Sequence, residues 1–113
     1  MSANRDNVKE LLDEIEAELK KLNLWGGENN RPYDECFLST IPFFMDKMDF
    51  HQWLEYVLLP KMREILDSGF DLPGNLLVHT YAQEYYRHKL DAHAHLVRLL
   101  RALDLSCNPK LKV

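Results

Sequence analysis

The sequence predicts an all-α fold, a small helical bundle of three to five helices with a Pro-kinked central helix. Three observations carry this expectation. Apolar residues recur at spacings of three and four over long stretches. No stretch alternates apolar and polar residues for long enough to make a strand. Glycine, proline and capping residues punctuate the periodic runs. The 113 residues are 46% hydrophobic and 28% charged, the mix of a folded globular chain, and their number suits one domain spanning 1–113.

The first helix is expected from about Asn4 to Leu24. Val8, Leu11, Leu12, Ile15, Leu19 and Leu22 fall on one face, and Glu10, Asp13, Glu14, Glu16 and Glu18 cover much of the other. Lys20 and Lys21 follow late in the run, where positive charge suits the helix dipole, and Gly26-Gly27 is the expected stop. From Glu28 to Met48 the periodicity fails. This long loop carries Pro32, Pro42 and the apolar cluster Ile41, Phe43, Phe44 and Met45; loops of this length in small domains usually pack or work. Phe43 and Phe44 are read as a core plug, with an exposed partner anchor as the alternative.

Asp49 and Gln52 have the spacing of a capping box opening the central helix, with Met48 and Trp53 placed for a hydrophobic staple. The helix continues through Leu54, Val57, Leu58, Met62, Ile65 and Leu66 to a stop at Ser68-Gly69. Pro60 lies in its middle, lacks an N–H and opposes the Tyr56 carbonyl, so a kink is expected there. Leu72-Pro73-Gly74 reads as a turn, and Thr80 with Gln83 as a second capping box. Helical spacing then runs to about Leu105, with a break at Arg87-His88-Lys89 and Asp91, and a frayed tail is expected over about 108–113.

Charge is uneven. Residues 1–40 and 41–84 each balance at −4, and residues 85–113 at +4. The overall −4 argues against a dedicated nucleic-acid binder. The polar start of the chain is unlike a signal or transit peptide, and no run of 18 apolar residues occurs, so a cytoplasmic protein without a membrane span is expected.

Reactive constellations are sparse. Cys36 and Cys107 lie far apart without metal-ligand spacing and read as free thiols. His79, His88, His93 and His95 fall within 17 residues, with His51 elsewhere, but none pair at i, i+3 or i, i+4. Asp91 with His95 is the one such carboxylate–imidazole pair. No GxSxG elbow and no phosphate-cradling glycine loop is present. No cofactor or metal is expected. Asp46, set among Phe43, Phe44, Met45 and Met48, is the carboxylate that departs from the helix-face pattern.

The string Phe37-Leu38-Ser39-Thr40-Ile41-Pro42-Phe43-Phe44-Met45-Asp46-Lys47-Met48 resembles the YqcC-like family of small bacterial proteins. So does Gln52-Trp53-Leu54-Glu55-Tyr56-Val57-Leu58-Leu59-Pro60-Lys61-Met62, with Leu72-Pro73-Gly74 beyond it. Trp25 and Asp104 also match, and the resemblance covers about residues 8–105. Tyr56, Lys61 and Thr80 depart from the usual residues, and Tyr85 to Leu96 matches least. The resemblance implies a compact helical bundle associated, through gene neighbourhood, with tRNA pseudouridine synthase C. The leading expectation beside it is a non-catalytic accessory protein, a monomer or weak dimer, that binds a protein partner, with that synthase or its RNA complex as the candidate. Phe43, Phe44, Asp46, Gln52 and Trp53 are the partner-binding candidates, with Arg98 and Arg101 as phosphate contacts. Two other readings stay open: a small hydrolytic or metal-dependent enzyme using Asp46 and histidines, and direct RNA binding through the basic C-terminal third.

Overall fold

The computed structural model describes residues 2–108. Apart from Asn108, the expected frayed tail lies outside them. Helix α1 (Ser2–Lys21) leads into a loop with three short 3-10 turns. Helix α2 (Phe50–Trp53), a π-turn (Leu54–Leu58) and α3 (Leu59–Ser68) together form the central helix. Helices α4 (His79–Tyr85) and α5 (Leu90–Cys107) follow. No strand occurs among the described residues. Helix α1 packs against α5 and α3, and α4 packs against α5.

The apolar stripe of α1 is the core stripe. Val8, Leu11, Leu12, Ile15 and Leu19 are buried against Phe50, Leu54, Leu59 and Met62 of the central helix and Leu96, Leu100 and Leu103 of α5. Burying each such side chain stabilises the fold by about 1.5–3 kcal/mol. Leu22, at the end of the stripe, is only half-buried.

The stop of α1 differs from the expected one. It comes at Asn23, whose φ of 62° is left-handed. The Leu24 N–H reaches back to the Leu19 carbonyl (2.9 Å) and the Asn23 N–H to that of Lys20 (3.1 Å), the Schellman pattern, for which asparagine substitutes for glycine. Gly26 and Gly27 are thereby left for another role, described below. Helix α3 ends as expected on Gly69, with φ 75°. Its last carbonyls are capped from a distance: the Arg5 guanidinium donates to the carbonyls of Ile65 (3.0 Å), Leu66 (3.3 Å) and Phe70 (2.8 Å).

The irregularity expected at Pro60 is a π-turn. One residue is added to the turn just before the proline, and the Leu59 N–H bonds the Leu54 carbonyl. Widening the turn relieves the clash between the proline ring and the preceding carbonyls while the chain stays helical. The Asp49–Gln52 capping box is present, with the Asp49 N–H donating to Gln52 Oε1 at 2.7 Å.

The second capping box is a correction. Helix α4 begins at His79, with Val78 as its cap, and Thr80 is an exposed residue inside the helix. The capping acceptor is Asp104, on α5. Its Oδ2 accepts from the N–H groups of Val78 and His79 (2.8 Å each) and bonds His79 Nδ1 (2.7 Å). Both side chains are essentially inaccessible to solvent. The His79–Asp104 pair was not marked by sequence spacing; Asp91 and His95, which read as an ordinary surface helix pair, are both exposed. The break at 87–91 is present, separating α4 from α5.

Candidate interaction surface

The segment before the central helix makes an uncommon turn. Phe43 (φ 57°) and Phe44 (φ 52°) are both left-handed, a conformation that costs a bulky residue about 1–3 kcal/mol and tends to occur at functional sites. The two rings have different fates. Phe43 stacks on Tyr81 (centroids 4.3 Å) and meets Trp53 and Phe50 edge-on at 4.8 and 5.9 Å. Such aromatic pairs are each worth roughly 0.5–1.5 kcal/mol beyond their buried area. Phe43 therefore fulfils the core-plug expectation. Phe44 is half-buried and is not among the side chains packed on the core.

Next to the Phe43 cluster lies an apolar groove of about 170 Å³. It is lined by Trp53, Val57, Ile65, Pro73 and Leu76, with Lys61 also present. On the loop, Leu38 is 79% and Ile41 46% exposed. Apolar side chains of this size left in solvent form the kind of surface that partners cover. Gln52 is spent on the capping box. Asp46 is exposed, and its carboxylate accepts from the Ser39 hydroxyl, a local loop tie that brings it no histidine partner. Arg98 and Arg101 lie on the outer face of α5, both exposed, remote in the chain from Phe44 and Trp53.

Away from this groove, the buried acid Glu55, which the sequence did not single out, organises the segment after α1. Its carboxylate oxygens accept from the N–H groups of Gly26 (2.8 Å) and Gly27 (2.7 Å). Neighbouring Tyr56 donates its hydroxyl to the Gly27 carbonyl (2.6 Å). The glycine pair is thus a docking strap, and the π-turn carries both side chains that hold it. A Cβ on Gly26 would lie 2.5 Å from Tyr56 Oη. The signal for Glu55 was its register: Leu59 and Met62, four and seven residues on, are both buried. Asp104 has the same signal in Val97, Leu100 and Cys107.

Burial, with help from Glu55, pushes the Tyr56 phenol up to about 12. Burial likewise raises Tyr86 and Tyr81, and Cys107, to about 11. A raised value in the folded state means the folded chain holds the proton more tightly than the unfolded one. The associated stability is complete below about pH 9 and is lost as pH rises, through about 11 for Cys107 and about 12 for Tyr56. We expect the urea midpoint to fall across that window. Tyr56→Phe should lower stability at pH 7 by about 1 kcal/mol and make the alkaline fall shallower. An unchanged alkaline slope would reject this assignment.

Among the described residues no three His, Cys, Asp or Glu side chains are placed to hold a metal ion. No described helix is long and apolar enough to cross a membrane. Cys36 and Cys107 are both free.

The fold defines a small all-α bundle protein in which two buried acids, Glu55 and Asp104, hold backbone N–H groups. A family model described as DUF446, tRNA pseudouridine synthase C, matches residues 7–106. The chain belongs to this YqcC-like family. It is 41% identical over 76 residues to the uncharacterized protein YqcC of Escherichia coli, covering 67% of this chain and 68% of that one. An uncharacterized protein of Haemophilus influenzae is 35% identical over 80 residues, 71% of this chain and 74% of its own. The solution NMR structure of Escherichia coli YqcC superposes with a TM-score of 0.82 at 31% identity, covering 97% of this chain and 92% of that one. A third relative, named tRNA pseudouridine synthase C, from Pectobacterium carotovorum subsp. carotovorum, is 39% identical over 71 residues. The match takes in 62% of this chain but 18% of that protein.

Proposed function

We propose that this chain is a non-catalytic helical accessory protein that docks on tRNA pseudouridine synthase C. The observation that carries this is the Pectobacterium relative. There a segment related to this chain lies within a protein bearing the synthase's name, and more than four-fifths of that protein lies outside the match. A module joined covalently to its partner works at an effective concentration in the millimolar range. The same module as a separate chain needs a docking surface of its own. Phe44, Trp53 and the adjoining apolar groove are the surface we assign to it, with Asp46 and Gln52 at its margin and Phe43 supporting it from beneath. Arg98 and Arg101 face the RNA in this reading. They are exposed and in no ion pair among the described residues, whereas Arg31, Arg63 and Arg87 are each paired with a carboxylate.

Sizing-column co-elution of this protein with the cognate synthase, with and without tRNA, is the test. A stable complex is expected, and the pair Phe44→Ala and Trp53→Ala should lose it while circular dichroism shows the helices intact. Arg98→Glu with Arg101→Glu should weaken only the tRNA-containing complex, and the loss should deepen with salt. Independent elution under every condition would overturn the proposal.

A further inference from the structure

A second cleft lies away from the apolar groove. It encloses about 410 Å³ between the end of α1, the start of the central helix and the corner joining α4 to α5, and its lining includes His51, Tyr86, His88, Lys89 and His93. In a chain of net charge −4, no carboxylate lines this cleft. Asp49 stands at its edge, with Oδ2 3.6 Å from His51 Nε2 and its charge also acting on Tyr86. Lys89 and His88 are exposed, and neither is in an ion pair among the described residues.

Two residues of the lining carry buried polar atoms without hydrogen-bond partners. Tyr86 is 6% exposed, and its buried Oη has no hydrogen-bond partner; neither has the buried His51 Nδ1. Leaving such a group unpaired costs about 1–3 kcal/mol. His93 is held ready beside them: its ring stacks on Tyr86 at 4.0 Å, and its Nδ1–H donates to the Lys89 carbonyl at 2.9 Å. That bond leaves Nε2 to accept from a phosphate hydroxyl or, when the ring is protonated, to donate to a phosphoryl oxygen.

We propose that this cleft binds a phosphate group, with the Lys89 ammonium as the charge partner and His93 Nε2 and the Tyr86 hydroxyl as hydrogen-bonding partners. A lysine supplies a compact positive charge, and imidazole and phenol groups supply directional contacts on the same anion. The site does not depend on docking to a synthase, so either proposal can fail alone.

The experiment follows the imidazole ¹H–¹⁵N signals of the full chain on titration with inorganic phosphate, then with single-stranded RNA. Saturable shifts are expected at His51 and His93 and none at exposed His95 or buried His79. Lys89→Ala should weaken binding about tenfold, the effect of losing one charge-assisted hydrogen bond. Tyr86→Phe should also weaken it. Saturation by RNA far below the phosphate concentration needed assigns the phosphate to an RNA backbone; response to inorganic phosphate alone assigns it to a free phosphate. Equal, unsaturable shifts at all five histidines would overturn the proposal. So would a Tyr86→Phe variant that gains stability and binds phosphate unchanged, because the hydroxyl would then be a buried orphan and nothing more.

Discussion

Asp104→Ala should cost the fold about 3–5 kcal/mol, the usual result of removing one member of a buried hydrogen-bonded pair. Domains of this size have total stabilities of roughly 5–15 kcal/mol, so the variant should stand near the edge of folding at 37 °C. The size of the effect follows from the geometry. One oxygen, Asp104 Oδ2, accepts from the N–H groups of Val78, the cap of α4, and His79, its first residue, and bonds the imidazole of His79. Alanine strands all of these groups away from water at once. Asp104→Asn keeps an acceptor oxygen for the backbone and should lose clearly less. Urea unfolding followed by circular dichroism measures both, and equal losses for the two variants would reject the hydrogen-bond account.

The second large effect is expected at Glu55. Glu55→Ala removes the acceptor of two backbone N–H groups on the glycine strap and should destabilise by about 2–4 kcal/mol, because hydrogen bonds to charged groups are among the stronger ones. The strap can be attacked from its other side. Gly26→Ala places a methyl 2.5 Å from Tyr56 Oη and 3.1 Å from Asn30 Cβ, so the tyrosine must swing out and forfeit its bond to the Gly27 carbonyl. A loss of about 1–3 kcal/mol is expected, as for other overpacked sites. Gly74, where an added Cβ meets nothing within 4 Å, is the control: Gly74→Ala should change stability by less than about 0.5 kcal/mol. If Glu55→Ala unfolds at the wild-type urea midpoint, the strap is ornamental.

The helices were legible in the sequence because their signals are local. The stripe from Val8 to Leu19 and the Asp49–Gln52 box each lie within a few turns of chain, and both appear in the structure. The caps from far along the chain were not legible. Thr80 and Gln83 have the right spacing, yet Asp104 takes the capping role from 25 residues away. Gly26-Gly27 has the composition of a helix stop, yet Asn23 ends α1 and the glycines serve Glu55 on another helix. A local pattern states what a residue can do; which of its options is used depends on what the fold brings beside it. Asp46 and Glu55 show the reverse error. Asp46 drew notice from its apolar sequence neighbours, but outside a regular helix such neighbours do not imply burial, and it is exposed. Glu55 stands in helical register with core residues and is buried. As for the candidate surface, the sequence marked Phe43, Phe44 and Trp53 together. Only the backbone of the Pro42 turn separates the ring that packs inward from the one that does not.

The polar ties also divide the molecule into parts that yield separately and parts that yield together. Arg5, Glu55 and Asp104 each join segments 25 to 65 residues apart in the chain, so neither the strap nor the start of α4 is released without disturbing a distant helix. The stretch from Glu28 to Asp46 is fastened differently. Its hydrogen bonds are all short-range, such as Arg31 to Asp34 and Ser39 to Asp46, and Phe43 is its main ring contact with the body. That stretch is held to the body through the side chains of Phe43 and Met45, with no long-range hydrogen bond among the described residues. An incoming partner could reshape it at the cost of a few short-range bonds, while the cooperative remainder of the bundle stays shut.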